Sequence, residues 1–115
     1  MLPIEVVREP LSRDHWESHA RESFGDFVKI VVDVRRGILA IGGNLHADAE
    51  TMLLEDESKQ EDLWGANIFI NVPIEQRIAY ESLINIRPSI GNRSMTIQDE
   101  TLCSQMRVIV DRLLL

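Results

Sequence analysis

Residues 27–34, FVKIVVDV, constrain the fold more than any other stretch of the chain. Their β-branched content and period-two alternation predict a strand, with Val28, Ile30, Val32 and Val34 on one face and Lys29 and Asp33 on the other. Arg35-Arg36-Gly37 then has the chemistry of a hairpin turn with Gly37 at positive φ, and ILAIGG at 38–43 supplies the return strand. Such a pair is at best marginal alone in water, so further strands and helices must cover its apolar face.

The rest of the sequence supplies them. A second pair of strands is expected at ANIFINV (66–72) and IAYESLINIR (78–87), with Pro88 ending the latter and SIGN at 89–92 forming a turn. Ser12 can cap a helix running to Phe24, with Gly25 at a left-handed terminus and Trp16, Ala20 and Phe24 as its core stripe. A short helix is expected over 47–56. A longer one follows Asp99 and buries Leu102, Met106, Ile109, Val110 and Leu113. Trp64 reads as an anchor, and Gly65 as the residue that permits a sharp turn after it. The expected fold class is α+β: an antiparallel four- to five-stranded sheet with helices packed on one face, in the order α-β-β-α-β-β-α. A further short strand is expected near Met95–Ile97. With 115 residues and no repeat or linker, residues 1–115 form a single domain large enough for its own core.

The net charge of −7 is concentrated. Residues 48–62 hold seven acids against Lys59 alone, so this segment carries nearly all of it. Ten of the twelve basic residues are arginine, which suits planar bidentate contacts. The acidic segment is either a solvated face or a docking surface for a cation or for arginines on a second copy. The overall balance argues against nucleic acid and anionic membranes as partners. No apolar run is long enough to cross a membrane. Pro3, Glu5, Arg8, Glu9 and Asp14 interrupt any leader-like stretch, and one cysteine fits a reducing compartment; a cytoplasmic location is expected.

The second face of the sheet carries Phe27, Val31, Phe69 and Leu83 among Lys29, Asp33, Asn67, Asn71, Glu81, Asn85 and Arg87. That mixture fits a face that self-associates, a platform for a small polar or anionic ligand, or a solvated surface. Self-association is the leading expectation, which makes the chain a homo-oligomeric binding or interaction domain. The alternative is a small enzyme or ligand-binding protein with a polar pocket formed where 46–62 and 85–94 converge. Its candidate ligand-binding residues are His46, Asp48, Gln60, Asp62, Asn85, Arg87, Asn92 and Arg93. His46, Asp48 and Glu50 are legitimate metal or acid–base groups, although Asp48 can simply cap the helix. Arg87 and Arg93, with Asn85, Asn92 and Ser94, can hold a carboxylate or phosphate, and Arg87 can equally pair with Asp33 or Glu81. His15 and His19 have metal-ligand spacing on a helix with Glu22 one turn on, but the default there is an exposed helix flank. No metal is assigned, no cofactor is identified, and Cys103 has no base near it in sequence to activate it.

Three segments in order, GILAIGGNLHADAE, LLEDESKQEDLWGANI and SLINIRPSIGNRSM, resemble a family of small prokaryotic proteins of about this length, catalogued as a domain of unknown function. The resemblance spans the chain from about Gly25 to the C-terminal helix. It implies a single cytoplasmic domain and brings no catalytic residue or cofactor. This sequence departs from the family pattern at Glu57, where a glycine is expected.

Overall fold

The computed structural model describes all 115 residues. The hairpin forms as its pattern dictates: β2 (Phe27–Asp33) pairs antiparallel with β3 (Ile38–Ile41), Val32 opposite Leu39. Gly37 closes the turn at φ 68°. Two strands flank this pair on one side and one on the other. β1 (Glu5–Val7) adds to β3, while β4 (Leu63–Phe69) adds to β2 and carries β5 (Ile78–Ala79), giving the order β1-β3-β2-β4-β5. All pairings are antiparallel. The three longer helices are α1 (Arg13–Arg21), α2 (His46–Glu55) and α3 (Glu100–Leu113). None is long and apolar enough to cross a membrane.

Local chemistry accounts for the helix ends. Ser12 accepts from the amide of His15 at the start of α1, and Asp99 accepts from Thr101 and Leu102 at the start of α3. At the end of α2, the amides of Glu57 and Ser58 return to the carbonyls of Leu54 (3.1 Å) and Leu53 (2.9 Å). This is a Schellman closure, and it requires a left-handed residue at Glu57, which has φ 75°. The position where a glycine is expected from the family pattern is thus the one non-glycine residue with positive φ.

The α+β class and the antiparallel sheet agree with the sequence reading, but the helices divide between the two faces. Trp16 and Ala20 of α1, with Met106, Ile109, Val110 and Leu113 of α3, cover Val28, Ile30, Val32, Leu39 and Ile41. On the reverse face, Ala49 and Leu53 of α2 cover Val31, Ala40 and Leu63. The alternation underestimates this second core because Asp33 lies within it. Asp33 is fully buried, and its carboxylate accepts from the amides of Arg35 (3.0 Å) and Arg36 (2.9 Å) and from Ser58 (2.6 Å).

Three further departures have physical causes. Phe24 lies beyond α1 and, instead of filling the core, stacks on Phe27, which in turn meets Phe69. Gly65 is not a turn residue; it lies in the middle of β4, where a Cβ would sit 2.6 Å from that of Ser82. The expected strand at 78–87 ends at Ala79, because the Asn85 side chain takes over the pairing. Its Oδ1 accepts from Gly65 N (2.9 Å), and its Nδ2 donates to Gly65 O (3.0 Å) as a neighbouring strand would. The short strand expected near 95–97 survives as a bridge between Glu81 and Thr96.

Candidate functional site

The α2 face gathers several of the residues singled out from sequence. His46 opens α2, and its ring turns onto β4, where Nε2 donates to the carbonyl of Ala66 (2.9 Å). Burial pushes its pKa below the usual 6.5, which keeps the imidazole neutral at physiological pH. One turn later Glu50 is also buried, 3.6 Å from the Arg87 guanidinium. Arg87 lies over the Trp64 ring, 4.5 Å from its centroid. It donates to the carbonyls of Ile84 (3.1 Å), Gln60 (3.0 Å) and Leu63. Asn92 donates to the carbonyls of Asn85 and Ser94, both at 2.8 Å, and accepts from Gln98 N (3.0 Å).

The segments 46–62 and 85–94 therefore do meet. His46, Asn85, Arg87 and Asn92 are brought together, and each satisfies backbone groups that would otherwise be buried unpaired. The others stand apart. Asp48 is exposed in the first turn of α2, whose N-cap is Leu45. Asp62 pairs with Arg35 (3.0 Å), the Gln60 side chain is exposed, and Arg93 is exposed. Arg87 pairs with neither Asp33 nor Glu81. Part of the acidic segment meets arginines of its own chain: Asp56 pairs with Arg8 and Arg36, whose guanidinia hold its carboxyl below the usual carboxylate range.

Beside this cluster lies a groove of about 310 Å³ between the start of α2 and residues 81–84. Its floor is Lys29 and Asn67 from β2 and β4, its walls Leu45, Leu83, Ile84 and Met95. Asn67 Oδ1 is buried next to the His46 ring, whose basicity it raises, yet it makes no hydrogen bond of normal geometry. Lys29 Nζ is 5.3 Å from the centroid of Phe24. Ser82 also lines the groove, but its hydroxyl accepts from Ile84 N, while His46 Nε2 is bound to a carbonyl, so no Ser–His pair is formed. Burial raises the pKa of Cys103, which disfavours a thiolate. Lys29, Asn67 and Glu81 appear in the sequence only as polar members of a mixed strand face; nothing local marks them as groove residues.

At the opposite face of the sheet, His19 is buried and not part of an exposed flank. Its neighbour across the site is Glu5 of β1, and Glu22, exposed at the end of α1, is not involved. No sequence signal pairs Glu5 with the histidines, because β1 is too short and irregular to be read as a strand.

The chain belongs to a family described as a protein of unknown function (DUF5674), which matches residues 5–113. Comparison with curated proteins and with solved structures gave no match.

Proposed function

We propose that this family member is a binding module that takes a small amphipathic molecule in the groove on the α2 face. The observation that carries this reading is Asn67 Oδ1, an acceptor buried at the floor of an apolar-walled groove that makes no hydrogen bond of normal geometry. Buried polar atoms without partners are uncommon in native proteins and call for one. The groove volume lies at the lower end of the range for small-molecule sites, and its few polar groups among apolar walls have the usual composition. The ligand class is an apolar body bearing a hydrogen-bond donor for Asn67 and an acceptor for Lys29. A single cysteine, which can form no disulfide within the chain, suits a reducing, cytoplasmic setting.

A fragment screen by amide-resolved NMR tests this reading. Fragments that combine an apolar ring with a donor should perturb residues 45–47, Asn67 and Leu83, and Asn67→Leu should weaken them about tenfold. Hits scattered over the surface, or affinities unchanged in Asn67→Leu, would count against it.

A second reading, self-association through the same face, is favoured by the groove's rim: Leu83 is 71% exposed and Leu45 58%. Light scattering at high concentration should then show a dimer that Leu83→Asp dissociates. A strict monomer removes this reading and leaves the first intact.

A further inference from the structure

The groove uses neither of the histidines on α1. His15 and His19 stand one turn apart on that helix, with ring centroids 6.1 Å apart and planes 12° from parallel. Both aim Nε2 at the same oxygen, Glu5 Oε2, at 2.8 and 2.5 Å. Glu5 reaches them from the edge strand, where it is held opposite Ile41. We propose that Glu5, His15 and His19 form a three-ligand site for a divalent first-row transition ion of the zinc type.

Several observations support the assignment. The three donor atoms all lie within 4.8 Å of one another. They come from two elements with fixed relative positions: α1 packs on the sheet face that carries Glu5, and His19 is almost fully buried, its side chain 1% exposed. Gly42, at φ 112°, is shaped around that ring; a Cβ there would lie 3.3 Å from His19 Nδ1. The donor set, two imidazoles and one carboxylate, is that of open zinc and non-haem iron sites, and it excludes the all-oxygen preference of magnesium or calcium. In a tetrahedral site with ligands at about 2.0–2.1 Å, donor atoms stand about 3.4 Å apart. The present separations of 2.5 and 2.8 Å mean that the carboxylate must retreat by less than about 1 Å to admit the ion, while the two nitrogens, within 4.8 Å of each other, settle to the same spacing through the exposed His15 ring. Glu5 has the freedom to do so, since its side chain is 38% exposed, while the buried His19 can remain seated. With His15 47% exposed as well, the mouth of the site faces solvent, leaving at least one coordination position for water or a ligand. This site is on the opposite side of the sheet from the groove and does not depend on the function proposed for it.

The test is titration of the chelator-treated full chain with Zn²⁺ and Co²⁺, followed by calorimetry and by the visible absorption of bound Co²⁺. One equivalent should bind, with Co²⁺ absorption intense enough to indicate four or five ligands, and Zn²⁺ should raise the melting temperature. His15→Ala and Glu5→Gln, which alter partly exposed side chains, should each weaken binding tenfold or more and abolish the thermal shift. Mg²⁺ should produce none of these effects. His19→Asn removes a buried ring, so its binding result counts only if circular dichroism shows a folded chain. Absence of stoichiometric binding, or binding unchanged in both His15→Ala and Glu5→Gln, overturns the site and leaves a simple hydrogen-bonded cluster.

Discussion

On the α1/α3 face, seventeen buried residues from Val7 to Leu114 form one continuous apolar cluster. On the α2 face the apolar cluster has six members, and the rest of the cover is made by Asp33, Asn85, Arg87 and Asn92 bonding to backbone. The first face is held by area removed from water, which is insensitive to direction. The second is held by directional bonds, each tying one named group to another. A surface closed in that way need not be filled everywhere, and the groove beside His46 is where it stops. The face with more polar groups is therefore also the one with an open groove.

The contrast can be broken first on the apolar side. Trp16→Ala removes a fully buried indole that also donates to the carbonyl of Leu115 (2.6 Å), and should cost about 3–5 kcal/mol in urea unfolding. On the polar side, Asn85→Ala leaves both the N–H and the C=O of Gly65 without their partner inside the protein. A loss of about 2–4 kcal/mol is expected, accompanied by faster hydrogen exchange at Gly65. A loss below about 1 kcal/mol would mean that the segment after Ala79 is not held by this side chain.

His46, facing Lys29 and Asn67, is held neutral by burial, so its folded pKa lies below the unfolded value near 6.5. The unfolded chain therefore takes up the proton first. The stability contributed by neutral His46 is complete above about pH 6.5 and is lost as pH falls from there toward the folded pKa. Urea midpoints measured from pH 7.5 to 5 should decline for the native chain, and the decline should be smaller in His46→Gln. Equal declines would place the titrating group elsewhere.

The smallest effect is a gain. Glu57→Gly relieves a left-handed backbone position, and the glycine's greater freedom when unfolded offsets part of the relief, leaving about 0.5–1 kcal/mol of added stability. Calorimetric melting resolves a shift of that size. A loss would show that the Glu57 side chain contributes more than its backbone strain costs.

Legibility in the sequence followed the range of the interaction. The β2–β3 hairpin, the capped starts of α1 and α3, and the stripe along α3 are each specified within a few residues, and each was readable. The left-handed conformation at Glu57 was not, although the resemblance marks that position as one where a glycine is expected. The segment 80–97 was not readable, because its polar alternation resembles a strand while its actual role is to let the Asn85 side chain act as one. The acidic segment looked like a free surface because Arg8 and Arg36, which pair with Asp56, lie 20 or more residues away in sequence. Two of the three members of the Glu5–His15–His19 cluster are visible as the His15–His19 spacing, but that spacing points to Glu22 one turn along the helix and not to Glu5.

What the sequence determined by itself is the set of elements and their apolar faces, since period, capping and turn chemistry act locally. Tertiary structure alone decided which polar groups would meet. Glu5 reaches His15 and His19 only because β1 pairs with β3 while α1 packs above that edge. Asn67 Oδ1 is buried beside the His46 ring only because α2 crosses the second face where it does. A buried polar atom has its partner, or lacks one, according to what packing brings within about 3 Å, and no local pattern encodes that distance.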